Sequence, residues 1–260
     1  MRHVQGYLDL LESSGRYQFT SDEARSWLAT SADATRLALH RQKKKGRIAT
    51  PARGFHVIVP AEYRSIGCLP ADQFIPALMQ NLGLPYYAGL LSAAQYYGAA
   101  HQRPQSFQVF VPKNRRQVAC GAVRVTFIAR KAPEEVATRR FNTPRGTIEV
   151  STPESTAFDL VGYSDHAGGL DQVVTVLAEL AESIDADLLV DAARRAPLPW
   201  AQRLGVLLEV SGAGELTDPL LRHVRSHARK YVPLVPQGAH YGKRETAWKI
   251  IVNDQVELES

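Results

Sequence analysis

The chain has 260 residues, 45% apolar and 22% charged, the proportions of a globular protein with an ordinary core, and it carries no low-complexity tract or fixed repeat. Those numbers exclude collagen-like, solenoid and intrinsically disordered readings. The net charge is +5, all of it from residues 1–64, where 11 basic side chains stand against 6 acidic ones, while residues 65–260 balance at 20 and 20.

The opening places Val4, Tyr7, Leu8 and Leu11 at i, i+3, i+4 and i+7, which predicts a first helix ending near Gly15. Thr20-Ser21-Asp22-Glu23 then reads as a capping box for a short second helix over about 22–29, with Ala24, Trp27 and Leu28 inward. Thr30 or Ser31 can cap a third helix that runs to Gly46 with Ala34, Leu37 and Ala38 inward. Two or three residues separate the second and third helices, which is a helix-turn-helix spacing. Two strand-like runs, 47–50 and 55–59, flank the turn Pro51-Ala52-Arg53-Gly54 and predict a wing.

Residues 36–53 hold Arg36, Arg41, Lys43, Lys44, Lys45, Arg47 and Arg53 with no acidic residue among them, a local field suited to a phosphate backbone. In a winged helix-turn-helix the third helix enters the major groove. Thr35, Arg36, His40, Lys43 and Lys44 are assigned to its DNA side, opposite Leu37 and Ala38. Arg36 and His40 are the expected base readers, and Arg47 and Arg53 the phosphate contacts of the wing. The competing account is a solvated helix end whose cations favour the C-terminal dipole; the coincidence of three helices, a tight turn and a hairpin favours DNA.

Beyond Pro60 the pattern predicts helices over 71–82 and 90–97, strands at 107–111, 123–128 and 147–150, and further helices at 153–161, 171–182, 186–195, 199–210 and 219–230, before a strand at 248–252. The start at Thr152-Pro153-Glu154 is clear from cap, N1 proline and acidic first turn. Strands and helices are segregated, so the expected class is α+β: an N-terminal winged helix-turn-helix, residues 1–64, followed by a larger helix-rich α+β domain with a small sheet, residues 65–260.

No catalytic motif stands out: there is no phosphate-binding loop, nucleophile elbow or Cys/His set at metal spacing. No enzyme activity, cofactor or metal is therefore expected. A nuclease-like metal site is one reading of Glu149, Glu154 and Asp159; an outward strand position, a helix-dipole carboxylate and an exposed helical position explain them more simply. Arg222, Arg225, Arg229 and Lys230, together with His223 and His227, form a second basic surface on the 219–230 helix, read either as solvated cations or as a contact for nucleic acid or an acidic partner. Cys68 and Cys120, 52 positions apart, are too few for a disulfide framework and are expected as buried thiols. No apolar run is long enough to cross a bilayer and the first residues lack a signal-peptide core, so a cytoplasmic protein without a membrane partner is expected.

The succession Arg53-Gly54-Phe55-His56-Val57, Tyr86-Tyr87-Ala88-Gly89-Leu90-Leu91, Phe107 to Pro112, and Ile148-Glu149-Val150-Ser151-Thr152-Pro153-Glu154 leading to Phe158-Asp159-Leu160 resembles the AbiEi family, the antitoxins of type IV AbiE toxin-antitoxin systems. Where that family tends to have a Ser-Ala-Leu-x-x-His-Gly-like helix, this chain has Ser92-Ala93-Ala94-Gln95-Tyr96-Tyr97-Gly98. The resemblance implies a repressor of its own operon that binds inverted repeats in double-stranded DNA. It also implies a C-terminal domain that counters, directly or indirectly, a toxin similar to nucleotidyltransferases, and a protein that is not an enzyme. The alternatives from the residues are a ligand-responsive winged-helix regulator and a winged-helix-guided nuclease.

Overall fold

In the computed structural model, which describes residues 3–99 and 104–256, the first predicted helix is α1 (Val4–Ser13), burying Tyr7, Leu8 and Leu11. A three-residue strand, β1 (Gln18–Thr20), leads into α2 (Ser21–Leu28). The capping box forms in both directions: Glu23 N–H donates to the Thr20 hydroxyl at 3.1 Å and Thr20 N–H donates to the Glu23 carboxylate at 2.6 Å, an arrangement worth ~1 kcal/mol. Helix α3 (Ala32–Lys44) is capped by Ser31. The wing is β2 (Ile48–Ala52) and β3 (Phe55–Ile58), closed by Gly54 at φ +73°. Strand order β1-β3-β2 is antiparallel throughout, with Phe19 opposite His56 and Ala49 opposite Val57. This is the element order expected of a winged helix-turn-helix. Periodicity could not announce β1, because three residues make no alternation.

The chain divides into two compact units, one of Met1–Tyr87, Gln105–Glu134 and Arg140–Glu149, the other of Ala88–Pro104, Glu135–Arg139 and Val150–Ser260. The boundary expected at 64/65 falls inside the first unit, and the reason lies in the wing. All four residues of β3 are buried. Ile48 and Ile58 join Tyr7, Leu8, Phe19 and Leu39 in one cluster. Ala49, Phe55, Val57 and Val59 point the other way, into a cluster with Phe74, Leu78, Met79, Val109, Val118 and Val125. A sheet that is apolar on both faces needs a covering layer on each. The second cover is supplied by α4 (Ile75–Leu82) and by strands further along the chain.

Those strands are β4 (Tyr87–Ala88), which is followed by α5 (Leu90–Ala94), then β5 (Phe107–Val111), β6 (Val118–Cys120), β7 (Val123–Ala129), β8 (Thr138–Thr143) and β9 (Gly146–Ser151), in the sheet order β6-β7-β5-β4-β9-β8. The sequence pattern had shown three of these six. In the second unit α6 (Pro153–Gly162) is buried from Pro153 through Val161, so it lies at the centre of the helices α7 (Leu170–Leu180), α8 (Ala186–Ala193), α9 (Leu198–Val210) and α10 (Thr217–His227). A small sheet of β10 (Val232–Pro233), β12 (Ile250–Val252) and β11 (Lys243–Glu245) closes the unit. Segregated strands and helices make the class α+β.

One contact in this unit fixes a residue type. The fully buried Trp248 ring lies across α9 at Gly205, and its indole N–H donates to Glu209 at 2.8 Å. A Cβ at Gly205 would overlap the ring. Gly205→Ala is therefore expected to destabilise the protein by about 1–3 kcal/mol through overpacking, read as a lower melting temperature, whereas Gly214→Ala, where a Cβ meets open space, is expected to leave it within ~1 kcal/mol.

Candidate nucleic-acid interface

The inward stripe of α3 is Thr35, Leu39 and Gln42, spaced i, i+4, i+7. This corrects the predicted face by about one residue. Thr35 is 3% exposed and its hydroxyl pairs with that of Thr30 at 3.0 Å, so it does not belong to a DNA side. Leu37, expected inward, is 55% exposed. Leu39 sets the phase, because it is the apolar residue of α3 that joins the cluster with Tyr7, Phe19 and Ile58.

With that rotation the outward face of α3 presents Arg36, Leu37, His40, Arg41, Lys43 and Lys44, all exposed. Arg41 was present in the charge run but not among the predicted contacts; the i, i+4, i+7 stripe was the signal that could have placed it. Arg36 makes one ion pair, with Asp33 at 3.1 Å, between two exposed side chains, a pairing of little stabilising value that DNA could displace. Among the described residues no ion pair engages His40, Arg41, Lys43 or Lys44. At the wing tip Arg53 is exposed beside Gly54. Arg47 is placed differently from the expectation. It sits where α3 turns into β2 and lies 3.7 Å from both Asp9 and Glu12 of α1, with its side chain largely covered. Its charge is spent on the neighbouring helix rather than presented with the wing.

Between α2, α3 and the wing lies an open cleft of about 360 Å³, lined by Ser21, Arg25, Arg36, His40, Lys43 and His56 among others. His56 is its buried polar anchor. One ring nitrogen is 2.8 Å from the Ser21 hydroxyl, the other 3.1 Å from the Thr50 hydroxyl, and the ring stacks on Phe19 at 5.3 Å. Burial, reinforced by the Lys43 charge, pushes the imidazole pKa down to about 4. His56 thus bonds α2 to the wing as a neutral ring.

The second basic surface is shorter as a helix than predicted, since α10 ends at His227 and Arg229 and Lys230 follow it. Arg222, Arg225, Arg229 and Lys230 are all exposed. Arg222 shares an open groove with Asp187, Asp191, Arg194, His223 and His227, and the two histidine rings stack at 4.4 Å.

The acidic residues weighed as a metal site are otherwise engaged. Glu149 pairs with Arg140 at 2.6 Å, Glu154 is buried and accepts the Asp185 N–H at 3.1 Å, and Asp159 is fully buried rather than exposed. The buried position of α6 explains the last difference. Among the described residues no group of three His, Cys, Asp or Glu side chains is placed to hold a metal ion.

The residues that carry the family resemblance are structural where they can be followed. Tyr97, in the place of the family's histidine, donates its hydroxyl to the Ser151 carbonyl at 2.7 Å. The Ser151 hydroxyl pairs with that of Thr156 at 2.7 Å, and Thr152 caps α6. Residues 87–210 match the model of the AbiEi antitoxin C-terminal domain. The chain carries an AbiEi antitoxin C-terminal domain. The RV2827C protein from Mycobacterium tuberculosis has a similar fold, with a TM-score of 0.66 and 16% identity, covering 94% of this chain and 89% of that chain. No curated protein matches in sequence. No helix among the antitoxin's described residues is long and apolar enough to cross a membrane.

The His56 anchor makes the antitoxin's stability depend on pH. Its folded pKa lies below that of an unfolded histidine, ~6.5, so the unfolded chain binds the proton more readily. The stabilisation is complete above ~pH 6.5 and is lost as pH falls towards about 4. Urea midpoints measured across that window are expected to fall with pH in the wild type, and the slope is expected to flatten in His56→Gln.

Proposed function

We propose that this AbiEi family antitoxin is a DNA-binding autorepressor as well as the antagonist of a toxin. The observation that carries the reading is the outward face of α3, where Arg36, His40, Arg41, Lys43 and Lys44 are exposed together while Leu39 holds the opposite face in the core. The unit that holds this face has the element order of a winged helix, and the cations are followed by Arg53 at the wing tip. Such a surface releases counterions from a phosphate backbone. The antitoxin family implies a toxin partner; the resemblance makes that partner a nucleotidyltransferase-like protein and the DNA the inverted repeats of the antitoxin's own promoter. Both functions place the protein in the cytoplasm. Arg222, Arg225, Arg229 and Lys230 offer a second cationic surface to an acidic partner or to nucleic acid.

Within the face, phosphate and base contacts should separate. Lys43, Lys44 and Arg53 are the phosphate contacts, Arg36 and His40 the base readers, and Arg41 an additional cation on the same side. Leu37, exposed amid these polar residues, supplies an apolar surface suited to a thymine methyl group.

Binding to promoter DNA, measured by fluorescence anisotropy over a salt series, is expected to weaken with a log-log slope of about −3 to −4, as for four neutralised phosphates; a slope near zero would refute the reading. Lys44→Ala is expected to weaken cognate and random DNA alike, whereas Arg36→Ala should cost ~1–3 kcal/mol on the cognate site alone. Co-expression with the adjacent gene tests the other half: rescue of its toxicity by this chain is expected.

A further inference from the structure

The two cysteines that looked unrelated in sequence face each other in the first unit. The segment 66–68 runs beside the end of β6. Ala122 N–H donates to the Ile66 carbonyl at 2.7 Å, and the backbones of Gly67 and Gly121 touch so closely that a Cβ on Gly121 would stand 2.9 Å from the Gly67 Cα. Both glycines have positive φ, +70° and +59°. These contacts bring together the two segments that carry Cys68 and Cys120, and both side chains lie in one apolar cluster. Both thiols are free and buried, and a side-chain hydrogen bond joins them.

Their surroundings differ in a way that assigns each a part. Cys120 keeps slight exposure while Cys68 has none. The hydrogen bond from Cys68 favours the Cys120 thiolate, as do the Thr50 backbone N–H and the charges of Lys43 and Arg124, and together they bring its pKa down to about 7 against the cost of burial. Cys68, as donor of that hydrogen bond and a buried group, is pushed up. Thr50 lies in β2, at the edge of the wing sheet, where the ladder with β3 is interrupted between Ala49 and Ala52. Ala49 of β2 and Cys120 of β6 lie in one apolar cluster, so β6 is packed against the wing.

We propose that Cys68 and Cys120 are a thiol-disulfide switch, closed by a low-molecular-weight disulfide such as oxidised glutathione and felt at the edge of the wing through the packing of β6 on β2. The Cys120 thiolate attacks one sulfur of the small disulfide, breaking its S–S bond and expelling one thiol. Cys68, losing its proton to solvent, then displaces the second thiol from Cys120 and closes the protein disulfide. Two electrons and two protons pass from the protein to the small disulfide, which leaves as two thiols. Neither step depends on the DNA-binding reading.

Intact-mass measurement of the native full chain after incubation with oxidised glutathione is expected to show a loss of two hydrogens, reversed by dithiothreitol, with a Cys68–Cys120 cross-linked peptide on digestion. Cys68→Ser should stop at a single glutathione adduct on Cys120, and Cys120→Ser should gain none. Hydrogen exchange of the peptide covering residues 48–52 should quicken on oxidation. An unchanged mass, or stable adducts on both cysteines of the wild type, overturns the disulfide; unchanged exchange at 48–52 in the oxidised protein overturns its link to the wing. The wild-type mass and exchange need no substitution, so a variant that folds poorly leaves both tests intact.

Discussion

Everything in the first unit depends on a four-residue strand that is buried on both faces. β3 gives Ile58 to the core beneath α3 and Phe55 and Val57 to the core that includes α4, β5 and β7. Apolar burial at ~25 cal/mol per Å² makes either face costly to expose, so α3 and the strands far along the chain are braced against the same piece of backbone. A winged helix carried on a linker would have a wing with one wet face. Here the wing is a wall shared by two cores, which explains why residues 105–134 and 140–149 belong to the same compact unit as the N-terminal helices.

That constraint also accounts for the polar groups gathered around the wing. A neutral histidine bonded to hydroxyls on both sides, Ser21 and Thr50, satisfies a buried position that a charged ring could not occupy without cost. Cys120 of β6 and Ala49 of β2 share the apolar cluster on the opposite face of the wing from His56.

Much of the unit was legible. The Thr20–Glu23 box, the Ser31 cap and the Gly54 turn are local chemistry, and each formed where its residues stand. The phase of α3 was less so. Ala34, Leu37 and Ala38 carry as much apolar character as Thr35, Leu39 and Gln42, and a helix of alternating alanines and leucines does not say which stripe is inward. Only the partners decide: Leu39 meets Tyr7, Phe19 and Ile58 in the core, whereas Leu37 meets none of them. Arg47 was misplaced for a related reason, since its partners Asp9 and Glu12 lie two helices back in sequence. Strands β4, β6 and β8 were missed because they are short or polar, and the sheet rather than their sequence makes them strands.

The family motif teaches the complementary lesson. Ser151-Thr152-Pro153-Glu154 reads as a helix start with a carboxylate on the helix dipole, and it is a helix start whose polar atoms are used internally. Ser151 bonds Thr156, Thr152 caps α6, Glu154 accepts the Asp185 N–H, and Tyr97 bonds the Ser151 carbonyl. A helix buried from Pro153 to Val161 has its first turn far from water, and its N-terminal N–H groups must be met from within. Residues of these types at these positions follow from burying α6 at the centre of the antitoxin domain, so the motif identifies the family through its fold.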